Sequence, residues 1–330
     1  MALFLKNLKK NGYLDNTHMT VCVVGSRKIG SADDYGSQAW QMFAPNLSVY
    51  GFDADADACD EANADLKNRN INWNEVHIPL ALGKAEEERT LYVTKDPMCS
   101  SLFLPNENYL GRFKELSEYA SLDFSLEIDT TTLDSFCHSE GISGIDFLQI
   151  DVQGADLDVL RGASNILNTV LGVQIEVEFS HLYIDQPLFA DVDIHLRDRE
   201  LTLFDIRLTH CLRSKSPLAS KKRAGQVLWG EADYLRDLIG TDVEAEKKNP
   251  ERILKLVCIA DIQHFPDYAL EILIYLTTNH GDNPNYNFAD TIVQSLAEIS
   301  DLEKHGLASL EILEPIKDYM SQSCKDLYGF

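Results

Sequence analysis

The chain has 330 residues, 45% apolar and 25% charged, a globular composition that excludes a mainly disordered state. Its 29 basic and 53 acidic residues give a net charge of −24, which repels phosphate backbones and excludes nucleic acid as a general partner. The seven cysteines form no CxxC pair and no Cys/His cluster of zinc-like spacing, so no metal is expected and reduced thiols of a cytoplasmic protein explain them.

Residues 1–16 are apolar too briefly for a secretory leader, and no run of about 18 apolar residues predicts a membrane span. The run 20–24 ends at Gly25 and suits a strand buried on both faces. Residues 47–52 repeat that pattern before Asp53, and 54–68, Ala-rich and free of Gly and Pro, predict a helix. Residues 76–82 and 89–94 are further strand candidates, and 130–140 a helix that ends at Gly141. The strongest strand signal is 145–151, followed by a helix to about Leu167 and a strand over 172–179. A helix over 187–199 with Pro187 near its first turn precedes two last strands, 201–208 and 226–235.

Strands alternating with helices imply an α/β fold with a mostly parallel, doubly wound sheet, closed at its edge by an antiparallel pair. From about Thr241 strand signals stop, and 252–278, 288–304 and 307–327 read as helices. The expected organisation is therefore a domain over 1–240 and a helical extension over 241–330. Leu254, Leu256, Ile259, Leu270, Leu273 and Leu276 give that extension an apolar face, to be packed on the α/β domain or on a second subunit of a homo-oligomer.

In an open α/β sheet, ligands bind beyond the carboxyl ends of the strands. Four segments lie there. Gly25 and Ser26, in the run Val24 to Gly30, offer a backbone that a ligand can approach, or simply a turn. Asp53, about 28 residues after Gly25 and followed by Ala54, can accept two hydrogen bonds from a ribose diol, or can cap the next helix. Asp151 can hold a cation or take a proton in the cleft, or can cap the helix after it. Glu176 and Glu178 share one strand face, and two carboxylates in an apolar strand are costly without a partner or a purpose. His181 beyond them is a candidate base or a surface residue.

The stretch LDSFCHSEGISGIDFLQIDVQGADLDVLRGA (133–163) resembles the hallmark of FkbM-family methyltransferases. The resemblance continues through VQIEVEF, upstream through GFDADADACDEANADL, PLALG and CSSLF, and downstream through YIDQPLFADVDIHLRD and VLWGEADYLR, covering about 20–236. It implies a class I methyltransferase (Rossmann-like) sheet with an antiparallel final strand, and transfer of a methyl group from S-adenosylmethionine (SAM), usually to a hydroxyl of a sugar, glycan or small metabolite. It further implies that Gly25 lies against the cofactor's methionine part, that Asp53 binds its ribose, that Ala81 and Leu82 flank its adenine, and that Asp151 sits near the sulfonium. Asp151, Glu178 and His181 are the candidate bases, and the sequence does not choose among them.

The chain departs from the family pattern at four places. Val23 stands at an acidic position, Arg27 at a small one, Gln149 at a lysine and Gln153 at a glutamate. Two rival readings remain: a methyltransferase-like binding module, supported by Val23 and Arg27, and an NAD-dependent oxidoreductase, which fits the lack of a GxGxxG loop poorly. The segment 206–230 holds six basic and no acidic residues, against the sign of the whole chain, and suggests an anionic acceptor or a solvated loop.

Overall fold

The structure, a computed structural model, describes residues 2–28, 39–241, 243–244 and 248–330. Its elements run α1 (Leu5–Lys10), β1 (Met19–Val24), β2 (Leu47–Asp53), α2 (Ala56–Arg69), β3 (Asn74–Pro79), β4 (Ala81–Leu82) and β5 (Glu87–Thr94). Then come the short helices α3 (Glu107–Leu110) and α4 (Leu116–Tyr119), β6 (Leu122–Thr131), α5 (Leu133–Ser139), β7 (Phe147–Ile150), α6 (Asp156–Arg161), β8 (Gly172–Glu178) and α7 (Phe189–Arg197). β9 (Leu201–Cys211) and β10 (Gln226–Arg236) close the sheet, before α8 (Pro250–Ile262), α9 (Pro266–His280), α10 (Ala289–Ala297), α11 (Ser300–His305) and α12 (Gln322–Tyr328).

The described residues form two compact units. The first, drawn from 20–34 and 48–235, contains a seven-stranded sheet of order β3-β2-β1-β7-β8-β10-β9. β1 pairs in parallel with β7, β7 with β8, and β2 with β3. The expected antiparallel strand is β10, which runs against β8. β1 is buried at all six positions and β7 at three of four, which is why they read as mainly apolar segments rather than alternating ones. Val24, Phe52, Leu148, Ile150 and Ile175 belong to the core below the strand ends.

Several boundaries differ from expectation. Residues 76–82 are two strands, because the chain leaves the main sheet after Pro79. Ala81 and Leu82 then pair with Thr130 and Thr131 in a second sheet of order β4-β6-β5. Helix 130–140 shortens to α5, since 122–131 is strand and Thr132 caps the helix through Ser135 N–H. The long helix after Asp151 is only α6, followed by a 3-10 turn at Ile166–Asn168.

The second unit, drawn from 1–19, 35–47 and 236–330, is helical and takes in the amino-terminal residues as well as the carboxyl-terminal ones. Helix 252–278 is two helices. His264 turns to φ +66 and Pro266 opens α9, whose ring cannot continue the preceding helix. Segment 288–304 likewise divides into α10 and α11, and 307–327 is mostly 3-10 helix before α12. Leu254, Leu256, Ile259, Leu273 and Leu276 are buried, with α8 packed chiefly against α9, so their apolar face finds its partner within its own chain. No helix among the described residues is long and apolar enough to cross a membrane.

Candidate functional site

Strand order reverses between β1 and β7, and a crevice opens beyond the carboxyl ends at such a point. Gly25 and Asp151 stand on its two sides. The N–H groups of Gly25 and Ser26 both donate to the Phe52 carbonyl at 2.9 Å, and Asp151 N–H donates to Val24 O at 2.9 Å. Gly25 has φ +83, and a Cβ there would lie 1.9 Å from the Asp151 carbonyl oxygen. The glycine is therefore required by the contact of the two loops themselves. Ile29 and Gly30 lie outside the described residues.

Asp53 ends β2. Its Oδ1 accepts from Asp55 N–H at 2.8 Å. The cap of α2 is Asp55, whose Oδ1 accepts from Asp57 and Ala58 N–H. Asp53 is thus not the cap of α2; it also accepts from the Arg27 backbone N–H. Burial raises its carboxyl above the usual range, partly offset by the Asp55 N–H and the Arg27 charge. Ala54, between the two acids, is exposed.

The two basic residues after Ser26 are tied down. Arg27 pairs with Asp55, and Lys28 Nζ reaches Glu75 Oε1 at 2.9 Å. Ser26 Oγ meets His77 Nδ1 at 2.9 Å, and His77 Nε2 lies 3.4 Å from Glu75 Oε1. Burial would push Glu75 up, but hydrogen bonds from His77, Lys28 and Trp73 outweigh it and hold the carboxyl at about 2. Ser, His and Glu in series suggest an activated nucleophile, but Ser26 is only 1% exposed, so the series is a latch that fixes the loop after β1. Gly51 completes it, because a Cβ there would stand 2.5 Å from His77 Nδ1.

Four carboxylates gather beyond β7 and β8. Gln153 Nε2 donates to Asp151 Oδ1 and to Glu176 Oε2, each at 2.7 Å. Asp156 accepts from Val152 N–H at 3.1 Å and Gly154 N–H at 2.9 Å, closing the loop that follows β7. Glu178 is 4% exposed on the same strand face as Glu176, beside the Gln186 amide, whose nitrogen makes no full hydrogen bond. Burial, then the neighbouring acidic charges, raises Glu176 and Glu178 well above the carboxylate range and Asp156 to about 7. Asp151 is raised too, by burial of its carboxyl first, although the residue is exposed at the end of β7. Burial and mutual repulsion thus favour the protonated forms of these four acids.

The remaining expected residues do not all converge. His181 is exposed beyond β8, and among the described residues no hydrogen bond joins its imidazole to the carboxylates. Ala81 is half-buried, while Leu82 gives its side chain to the core and can offer a ligand only its backbone. Asp156, Gln153 and Tyr183 were missed as site residues. The signal available for Asp156 was its place two residues after a glycine, where an Asp closes a loop onto backbone N–H groups.

The departures from the family pattern become intelligible by position. Val23 and Gln149 are register partners on β1 and β7. An acid missing at one and a lysine missing at the other remove two neighbouring charges together, leaving neither buried alone.

A cap borders the crevice. Leu110, Phe113, Leu182, Tyr183 and Leu228 form its small core. Trp229 pairs with Glu178, so the loop leading into β10 lies at the carboxyl end of β8. Within that loop Arg213 is used structurally, stacked 4.3 Å from the Phe113 ring centroid and bonded to Gln226, and Arg207 on β9 pairs with Glu231 and Asp233. Lys215, Lys221, Lys222 and Arg223 are exposed. A separate concavity of about 740 Å³ between α2 and β3 involves Lys67, Trp73 and Asn74 at the amino end of β3, away from the carboxylates.

The model of the methyltransferase FkbM domain matches residues 33–201, just over half of the chain. The 2-O-methyltransferase NoeI of Sinorhizobium fredii is 35% identical over 82 residues, 24% of this chain and 34% of that protein. The chain thus spans about a third of the length of that curated relative. Among solved structures, methyltransferase FkbM from Methylobacillus flagellatus aligns with a TM-score of 0.37 and 13% identity, over 66% of this chain and 43% of that one. Magnesium protoporphyrin IX methyltransferase (ChlM) from Synechocystis, crystallised with SAM, aligns with a TM-score of 0.32 and 12% identity, over 71% and 76% of the two chains.

Proposed function

The chain belongs to the FkbM family of SAM-dependent methyltransferases, and from that premise we propose that it methylates a hydroxyl oxygen of a small-molecule or glycan acceptor. The observation that carries this reading is the carboxylate cluster at the ends of β7 and β8, beside the point where strand order reverses. A hydroxyl must lose its proton by or after the transition state, and a positioned base is worth about 10²–10⁴-fold. NoeI, as a 2-O-methyltransferase, is consistent with oxygen as the target.

The residues fit the cofactor. Asp53, free of capping duty, would accept from the ribose hydroxyls, with Ala54 beside it. The backbone at Gly25 and Ser26 would border the methionine part, and Ala81 with the Leu82 backbone the adenine. SAM, when bound, supplies a methyl group on a positively charged sulfur leaving group. The protein then has to align the acceptor oxygen and take its proton, with exposed Asp151 and buried Glu178 of the same cluster as the candidate bases. His181 would serve only by moving inward from its exposed position.

An anionic acceptor is the finer form of this proposal. Lys215, Lys221, Lys222 and Arg223 form an exposed basic segment at the carboxyl end of the sheet, on a chain of net charge −24.

The test is incubation with methyl-labelled SAM and a panel of neutral and phosphorylated sugars, glycans, amines and carbon acids, with the product's methyl position read by NMR. An O-methyl product is expected. A methyl group on nitrogen or carbon refutes the reading, and tight SAM binding without transfer to any member supports the binding-module alternative.

A further inference from the structure

We propose that Gln153 and Tyr183 are positioning residues that hold Asp151 and Glu176 as one proton-accepting pair, Asp151 meeting the acceptor and Glu176 sharing the proton. This rests on methyl transfer to oxygen as proposed above. The Gln153 amide is placed from three sides. Its backbone sits at φ +55, its carbonyl accepts from Ser101 Oγ at 2.7 Å, and its side-chain Oε1 lies 3.0 Å from the Tyr183 hydroxyl. Both hydrogens of Nε2 are then committed, one to each acid at 2.7 Å. Turned over, the amide would aim an oxygen at two carboxylates, so the acids themselves set the observed orientation, and in it the Tyr183 hydroxyl donates to Oε1. Tyr183 is itself fixed. It is 3% exposed, its N–H donates to Gln186 Oε1 at 2.5 Å, and its hydroxyl is also 2.9 Å from the Cys99 carbonyl.

Burial and the acidic charges of Glu178 from β8, Asp156 from α6 and Glu231 from β10 disfavour ionised Asp151, with the neutral Cys99 thiol beside it; against them stand the Gln153 side-chain amide, the Gln153 backbone and a hydrogen bond shared with the Glu176 carboxyl. Gln153 supplies the hydrogen bonds that keep one of the pair ionised, while the second acid keeps the proton the first cannot release. A glutamate at 153 would add a fifth acid and remove both donors. In the reaction the acceptor oxygen's electron pair forms the O–C bond, the C–S pair returns to sulfur, and the hydroxyl proton passes to Asp151.

The test reads carboxyl titration directly by ¹³C NMR of the full chain, with Asp151→Asn assigning the signals. Gln153→Leu should move the pair's lower midpoint upward by about one unit, the size expected when a carboxylate loses a hydrogen bond. Tyr183→Phe should move it the same way by less, although its hydroxyl touches neither acid, while Tyr109→Phe, elsewhere in the cap, should leave it in place. The midpoint unmoved in Gln153→Leu overturns the pair, and unmoved in Tyr183→Phe overturns the role of Tyr183. This readout needs no acceptor, so it stands or falls apart from the acceptor's chemistry. Once an O-methyl acceptor is in hand, the acid limb of kcat must follow the same shifts with KM for SAM unchanged, and a limb that stays put removes the pair as base.

Discussion

Gly25 and Asp151 meet backbone to backbone: a Cβ on residue 25 would sit 1.9 Å from the Asp151 carbonyl oxygen, with φ already at +83. Gly25→Ala therefore meets left-handed strain of about 1–2 kcal/mol and a backbone overlap that only parting the ends of β1 and β7 relieves. A loss of more than about 2 kcal/mol is expected in chemical denaturation. A variant as stable as the parent would show that the two loops separate freely, and would return Gly25 to service as a ligand-approach glycine alone.

Asp53 and Asp55 separate cofactor binding from helix capping. Asp53→Ala should weaken SAM binding by about 1.5–3 kcal/mol, the worth of hydrogen bonds to a charged group, with little loss of stability. Asp55→Ala should do the reverse, costing about 1 kcal/mol of stability and only a minor part of affinity. Calorimetric titration and thermal melting of both variants check this. Since burial raises Asp53, SAM affinity should also fall as pH drops through its titration. Equal SAM affinity in Asp53→Ala and the parent would end the ribose assignment.

Much of this was legible because burial writes itself into sequence. β1, β2 and β7 are mainly apolar, β8 alternates apolar residues with Gln174, Glu176 and Glu178, and the glycine and acids at their ends fall where an open sheet binds ligands. β6 was less legible. Most of it is exposed, with Phe124 and Leu126 facing solvent at 53% and 41%, so no buried face announced it. The carboxylate cluster was half visible. Asp151 and the Glu176/Glu178 face could be read, but Gln153 between them depends on a left-handed backbone and on Tyr183 and Ser101 from distant segments. Likewise Val23 and Gln149 looked like two separate losses until register set them side by side.

The raised Asp156 makes stability fall with rising pH. Its folded value is about 7, above the unfolded value of about 3.9. The folded state therefore binds this proton more tightly, a contribution fully present below about pH 4 and lost as pH rises through 7. Asp156→Asn keeps an acceptor for only one of the Val152 and Gly154 N–H groups and so lowers stability at every pH, but it should flatten the decline of melting temperature across that window. Parallel melting curves for variant and parent from pH 4 to 8 would place the shared proton elsewhere in the cluster.

The acceptor's charge is tested at the basic segment. Arg207 and Arg213 are unsuitable, because their guanidinium groups hold β9 to β10 and the cap together. Lys221, Lys222 and Arg223 are exposed, so replacing all three with Ser should leave the melting temperature within the small range typical of surface changes. If an anionic acceptor docks there, KM for a phosphorylated acceptor should rise, by up to about tenfold if the lost attraction is about 1.4 kcal/mol. The increase of KM with salt should flatten at the same time, because screening acts on the charges removed. KM for a neutral acceptor and affinity for SAM should not change. A triple variant that keeps its KM and its salt dependence toward phosphorylated acceptors would make these residues a solvated loop, and the acceptor's charge would then have to be read by another part of the crevice.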